Sequence, residues 1–211
     1  MEFNVQHAKE FVNARIQSNL KKCDNKIHML LHLIPLSEVK KTASDLKNFK
    51  NKDYSSDAFN LEGYKHFDNN YDNHIQLYRD GKIELLKTWG EEKIIPSLSY
   101  EETIINQTKR FFEFYIEQKI VPPIFLNLAF INVDGTILGI DEFKQNFETS
   151  KVNQETIISL PELIIRTFEE DADVLLKEVF DCLWNVFDFE SSYNYDDTGK
   201  FKNKKIKNLY T

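Results

Sequence analysis

The chain has 211 residues, of which 41% are hydrophobic, and it carries a formal net charge of −7. This composition excludes general disorder and suits one folded domain with a substantial apolar core. The chain has only 6 glycines and contains neither the GxGxxG nor the GxxxxGKS/T pattern of nucleotide-binding loops, so we predict no cofactor.

Two further features indicate where the protein works. No apolar run approaches the roughly 20 residues that a helix needs to span a bilayer, and the N-terminus does not read as a signal peptide. Cys23 and Cys182 lie far apart in the sequence and are simplest to explain as free thiols in a reducing compartment. We therefore expect a cytoplasmic protein that does not enter a membrane.

Charge is distributed unevenly along the chain. Residues 1–50 carry nine Lys or Arg against five Asp or Glu, whereas residues 162–197 carry two against eleven. Residues 199–211 contain five lysines and no acid, which is typical of a solvated terminus. Because phosphate contacts dominate nucleic-acid affinity, nucleic acid could bind only through the basic N-terminal third and this lysine-rich tail.

The first elements are a helix and a buried strand. Apolar residues at helical spacing predict an N-terminal helical arm over residues 1–20. The near-continuous apolar run at 26–36 predicts a strand, which Pro35 ends. His28 and His32 would lie about 13 Å apart on a strand, too far to share a metal ion, so we interpret them as structural.

The elements that follow are short. Ser37 can cap a short helix that ends near Leu46. Alternating apolar residues then predict three strands, at 59–64, 74–78 and 82–89. Asp80-Gly81 separates the last two strands and is a strong signal for a tight hairpin turn. Short turns between consecutive strands favour an antiparallel meander over βαβ units.

Two long helices dominate the second half of the chain. A capping-box pattern at Ser99–Glu102 predicts the start of the first, which ends before Pro122. An apolar strand at 124–131 and a turn at 132–135 come next, and Asp171 can cap the second helix.

Together these elements predict an α+β fold. An antiparallel sheet of hairpins and a meander is packed by two long helices, with an N-terminal helix in addition. We place a single domain at residues 21–190, between the helical arm and a polar, lysine-rich tail at 191–211.

Two sets of side chains are candidates for metal-dependent chemistry. Asp134, Glu142 and Lys144 resemble the Asp…Glu-x-Lys pattern of metal-dependent nucleases, in which carboxylates bind a divalent ion and lysine helps to activate water. His66 and His74 flank a loop rich in Asp and Asn and could meet across a hairpin to bind a metal ion. Such patterns arise easily by chance in a chain with 29% charged residues, so we favour structural roles for both sets.

Several segments resemble, in the same order, motifs of a bacterial family. Residues 27–36 resemble its hLHhIP strand, residues 62–64 its DG(F/Y) strand, and residues 75–84 its VQLFRNGxIE hairpin. Residues 95–101 resemble its IPSLxYE helix entry, and residues 122–125 its PPhh strand. On these motifs, residues 8–140 resemble the C-terminal region of proteins that carry an N-terminal Schlafen AlbA-type domain.

The resemblance implies a link to nucleic-acid-related defence or regulation, but it transfers no catalytic residue. In that family the region follows a Schlafen-like domain, which these 211 residues do not contain. We expect a non-enzymatic interaction or sensing module that acts with a partner protein or as a homo-oligomer. The alternatives are a metal-dependent nuclease or phosphodiesterase using Asp134, Glu142 and Lys144, and a nucleic-acid-binding accessory protein.

Overall fold

The structure is a computed structural model that describes residues 2–21, 26–49, 53–68, 73–89, 93–140 and 151–202. Its helices are α1 (Glu2–Leu20), α2 (Ala43–Leu46), α3 (Ser97–Glu117) and α4 (Ala172–Val186). Its first strands are β1 (His28–Pro35), β2 (Ser56–Phe59), β3 (Gly63–Phe67), β4 (His74–Tyr78) and β5 (Ile83–Thr88). The later strands are β6 (Ile94–Pro96), β7 (Ile124–Ile131), β8 (Ile137–Gly139), β9 (Ile157–Ser159) and β10 (Leu163–Ile165). Within these ranges, none of the helices combines the length and apolar character needed to cross a membrane.

The main sheet is antiparallel. Its strand order is β10-β7-β1-β5-β4-β3-β2, and β9 also pairs with β7. Strands β2 to β5 follow one another in the sheet and form a meander. Strands β6 and β8 make a separate parallel pair. The predicted α+β class, with an antiparallel sheet, is confirmed.

Strand β1 lies inside the sheet because its sequence is apolar on both faces. It pairs with β5 on one side and β7 on the other, so that Leu31 lies opposite both Leu85 and Leu128. Every residue of β1 is buried. A strand covered on both faces has a continuous apolar sequence, whereas a strand with one exposed face alternates.

Helices pack on both faces of the sheet and create two apolar cores. Met29, Leu31 and Leu33 belong to the larger core, together with residues of α3 and α4. Leu30 and Ile34 point the other way and pack with the apolar residues of α1. Neighbouring residues of β1 therefore enter different cores, as the two-residue period of a strand requires.

The predicted strand at 59–64 instead crosses a hairpin turn at 60–62, and only its two ends belong to strands. Strand β2 ends at Phe59 and β3 begins at Gly63, whose backbone exchanges hydrogen bonds with that of Asn60. A Cβ atom at position 63 would lie 2.0 Å from the carbonyl oxygen of Leu77, so glycine is needed for β3 to approach β4 here. The alternating pattern of apolar residues continues through the turn, so periodicity alone cannot distinguish this turn from a strand.

Two helices begin at positions different from those predicted. Helix α2 begins at Ala43 rather than after Ser37, because Thr42 and Asp45 form a reciprocal capping box. Helix α3 begins at Ser97, two residues before the predicted cap at Ser99. Glu101 therefore lies beyond the first turn of α3.

The segment after α4 folds back onto the helices. We call residues 191–202, which fall within the predicted tail, the C-terminal strap. Tyr195 of the strap is buried, and its hydroxyl donates a hydrogen bond to the backbone carbonyl of Asp173 at 2.7 Å. Tyr195 also forms an antiparallel bridge with Phe201. This part of the C-terminal region is therefore integrated into the fold.

Candidate functional site

Asp134 of the predicted nuclease set lies at the surface. It follows β7 in a turn, its side chain is 60% exposed, and its Oδ1 is 3.9 Å from Nζ of Lys93. Glu142 and Lys144 lie outside the described residues. The described residues around Asp134 thus form a turn with an exposed ion pair.

His66 and His74 do not come together. His66 is paired with Ile75 and His74 with Phe67 across β3 and β4, so the two imidazoles point to opposite faces of the sheet. The ring of His66 packs 5.6 Å from that of Phe49, in the core beneath α3. These two histidines therefore cannot bind one metal ion. Among the described residues, no three His, Cys, Asp or Glu side chains converge as metal ligands.

A buried carboxylate lies where α1 crosses the sheet. Glu84 of β5 is 0% exposed and accepts two hydrogen bonds from Arg15 of α1, from Nε at 2.7 Å and from Nη2 at 2.5 Å. Nε2 of His32 lies 2.9 Å from one carboxylate oxygen, and Nε2 of His74 lies 3.2 Å from the other. Because an ionised carboxylate only accepts hydrogen bonds, both imidazoles donate through Nε2. We call these four side chains the Glu84 cluster.

The electrostatics of the Glu84 cluster favour an ionised Glu84. Burial by itself would raise the pKa of Glu84, but the hydrogen bonds from Arg15, His32 and His74 hold that pKa well below its usual value. Burial lowers the pKa of His74, which favours its neutral imidazole. The cluster therefore contains a buried, bidentate Arg–Glu ion pair supported by two imidazole donors.

The carboxylate at the centre of the Glu84 cluster is sealed from solvent, while the Arg15 side chain remains 22% exposed. The ring of Phe11 on α1 lies edge-on to His32 at 5.9 Å and to Tyr78 at 5.3 Å. Nδ1 of His32 and of His74 are buried and have no hydrogen-bond partner among the described residues. Because Glu84 has no exposed surface and its oxygens are occupied, the cluster joins α1 to the sheet rather than presenting a reactive group. In the sequence, Glu84 is one of two charged residues in β5, and no local pattern indicates that it meets Arg15, His32 and His74.

A second buried carboxyl joins α3, α4 and the C-terminal strap. Glu101 is 0% exposed and accepts hydrogen bonds from Tyr100 at 3.1 Å and from Nε1 of Trp184 at 2.7 Å. From the strap, the Ser192 hydroxyl donates at 2.9 Å and the Asn194 amide at 3.0 Å. We call these side chains the Glu101 cluster.

The Glu101 cluster supplies only neutral donors to its carboxyl group. Burial raises the pKa of Glu101 to about 7, although the hydrogen bonds from Trp184, Asn194, Ser192 and Tyr100 oppose that rise. In the sequence, Glu101 lies inside the predicted capping-box pattern Ser99–Glu102, in which Glu102 is the acid that pairs with the cap. Nothing in the local sequence indicates that it is buried.

An open groove of about 680 Å³ lies beside the C-terminal half of α3, and we call it the α3 groove. The rings of Phe49 and Phe114 lie at its base, nearly perpendicular at 5.3 Å between centroids. The other described residues of the lining are polar: Asn48, Arg110, Glu113, Glu117 and Gln118.

The rim of the α3 groove carries uncompensated negative charge. Arg110 forms an ion pair with Asp53, so its positive charge is already matched. Glu113 and Glu117 are exposed and lie one turn apart on the same side of α3. Neither makes an ion pair with any other residue in the described part of the chain.

Exposed apolar residues lie near the groove on the β2–β3 hairpin. Phe59, the last residue of the edge strand β2, is 54% exposed, and Leu61 in the following turn is 98% exposed. Nζ of Lys47, which immediately precedes Asn48 of the groove, lies 5.9 Å from the centroid of the Phe59 ring. The groove and the hairpin therefore lie on either side of the segment Lys47-Asn48.

Comparisons of the chain with models of known protein families, with curated proteins and with solved structures gave no match. The fold and the site define an α+β protein with two sealed carboxyl clusters and an open groove that has an aromatic base and an acidic rim.

Proposed function

We propose that this protein is a non-enzymatic interaction module that binds a partner protein in the α3 groove. The observation that carries the proposal is the groove itself, which combines buried aromatic rings at its base with exposed charged side chains on its rim. This arrangement matches the apolar centre and polar rim of protein interfaces. The nearby Phe59 and Leu61 would extend the contact area, since exposed apolar groups of this kind often mark interaction sites.

The distribution of perturbed acids supports binding over catalysis. Catalytic acids and bases usually combine a shifted pKa with access to a cleft. Glu84 and Glu101 have shifted pKa values but no exposed surface, and neither lines the α3 groove. Their hydrogen bonds instead tie separate elements of the fold together.

The resemblance to the C-terminal region of Schlafen AlbA-type proteins suggests a context for this module. We propose that its partner belongs to nucleic-acid-related defence or regulation. On this view, the partner protein performs the chemistry and the present chain supplies recognition.

A photo-crosslinking amino acid at Asn48 of the full chain tests the proposal in cells. Asn48 is exposed on the groove, whereas Glu178 on α4 is an exposed control position away from it. We expect Asn48, but not Glu178, to crosslink a defined partner. The purified partner is then titrated against wild-type protein and the variants Asn48→Trp and Glu178→Trp.

Asn48→Trp should fill the groove and weaken binding by more than about tenfold, because interface energy is concentrated at a few central contacts. Glu178→Trp should leave the dissociation constant unchanged. Equal affinity of Asn48→Trp and wild type would contradict the proposal. Circular dichroism of each variant verifies that the fold is retained.

A further inference from the structure

We infer that the partner segment recognised by the α3 groove is cationic and inserts a Lys or Arg side chain between Glu113 and Glu117 above the Phe49 and Phe114 rings. This inference rests on the proposed function, and it adds the chemistry of the partner. It follows from the charge of the rim, the base of the groove and its size.

The first step is the charge of the rim. Like charges one helical turn apart disfavour a helix, and α3 keeps Glu113 and Glu117 in this relation. The only basic residue in the described lining, Arg110, is already paired with Asp53, and Nζ of Lys41 donates a hydrogen bond to the backbone carbonyl of Gln118. A cation bound between the two glutamates would replace their mutual repulsion with two attractive contacts.

The second step is the base of the groove. Phe49 and Phe114 are 4% and 3% exposed, so packing in the core sets their orientation and they offer the groove a small, rigid apolar surface. Such a surface beside two carboxylates is suited to the apolar stem of Lys or Arg, whose charged head group stays at the rim.

The third step is size. A volume of about 680 Å³ exceeds the needs of a single side chain and falls within the range of sites that hold drug-sized ligands. The occupant is therefore a short basic segment of a partner protein rather than a free metal or ammonium ion. Exposure of the rim lets the segment extend towards the β2–β3 hairpin.

A displayed library of random twelve-residue peptides, selected on the full chain, tests the inference. We expect Lys and Arg to be enriched among the peptides bound by wild type. Fluorescence anisotropy with the best peptide then compares wild type with the double variant Glu113→Gln/Glu117→Gln. The matched control is Glu178→Gln, which removes an exposed helical acid away from the groove.

The double variant should weaken binding of the selected peptide by about tenfold, the combined effect expected for the loss of two exposed ionic contacts. Higher salt should weaken binding to wild type more than binding to the double variant. Glu178→Gln should bind as wild type does. Asn48→Trp should bind poorly whatever the salt concentration.

Three outcomes would overturn the inference. Selection of neutral or acidic peptides that remain sensitive to Asn48→Trp would refute a cationic partner and leave the proposed function intact. Peptides insensitive to Asn48→Trp would refute both. Binding that appears only after deletion of residues 203–211 would identify the chain's own lysine-rich terminus as the occupant, in place of a separate partner.

Discussion

The buried carboxyl of Glu101 should make the protein less stable as pH rises towards neutrality. Burial raises the pKa of Glu101 to about 7, from 4.5 for an unperturbed side chain. Between these values the folded state binds more protons than the unfolded state, so the free energy of unfolding falls as pH rises. The stabilising contribution of Glu101 is complete below pH 4.5, the pKa in the unfolded state. It is lost as pH rises through about 7, the pKa in the folded state. A shift of this size corresponds to about 3 kcal/mol, at about 1.4 kcal/mol per pH unit.

Glu101→Gln isolates this effect because it removes the titrating group and nearly keeps its shape. The amide oxygen of Gln can still accept from Trp184, but its NH₂ group would face the donating amide of Asn194. Below pH 4.5 we therefore expect the variant to be less stable by about 1–3 kcal/mol, the cost of a lost buried hydrogen bond. Between pH 4.5 and pH 8, the variant should gain about 3 kcal/mol relative to wild type.

Urea unfolding at a series of pH values measures this difference. Far-UV circular dichroism is the appropriate signal, because the fluorescence of Trp184 would respond directly to Glu101. Glu102→Gln is the control, since Glu102 is the exposed neighbour on α3. If the stability difference between wild type and Glu101→Gln stays constant to within about 0.5 kcal/mol over this range, the linkage reasoning is refuted.

Three further predictions concern the Glu84 cluster and the β3–β4 contact. Arg15→Ala leaves Glu84 buried without its cation and should lower the free energy of unfolding by about 3–5 kcal/mol. The control Lys9→Ala removes an exposed ion pair and should lower it by less than about 1 kcal/mol. Equal losses in urea unfolding would contradict a buried ion pair. Because the pKa of Glu84 is lowered in the folded state, its contribution should be complete above pH 4.5 and lost on acidification, and Arg15→Ala should reduce this loss between pH 2 and pH 5. Gly63→Ala should lower the free energy of unfolding by about 3 kcal/mol, because its Cβ would be forced against a carbonyl of β4. Gly135→Ala should lower it by about 1 kcal/mol, because position 135 has a φ of +70° but no atom within 4 Å of the added Cβ. Thermal unfolding that ranks the two variants in the opposite order would argue against the close approach of β3 and β4.

Local sequence signals predicted the main elements of this fold. The apolar run of β1 indicated a strand covered on both faces, and Asp80-Gly81 marked the β4–β5 turn, where Gly81 has a φ of +82°. Helical spacing located α1, α3 and α4. These features depend on residues close together in the chain, so their physical causes are visible in the sequence.

The exact boundaries were harder to predict because competing local signals lay side by side. Thr42 caps α2 in preference to Ser37, since only Thr42 has an Asp three residues later to complete the capping box. The hairpin turn before Gly63 was concealed by alternation that continues through it. Its cause is the approach of Leu77 from β4, which no pattern within the segment reveals.

The two carboxyl clusters and the α3 groove were decided by tertiary structure alone. Arg15 and Glu84 are 69 residues apart, and Ser192 and Glu101 are 91 residues apart. His66 and His74 are only eight positions apart, yet strand pairing directs them to opposite faces. Local propensity and periodicity determine where helices and strands form, but strand order and helix packing determine which side chains meet. For this protein, the sequence by itself determined an α+β sheet protein, and only the packing of α1, α3 and the C-terminal strap decided which acids are buried and which remain exposed at the α3 groove.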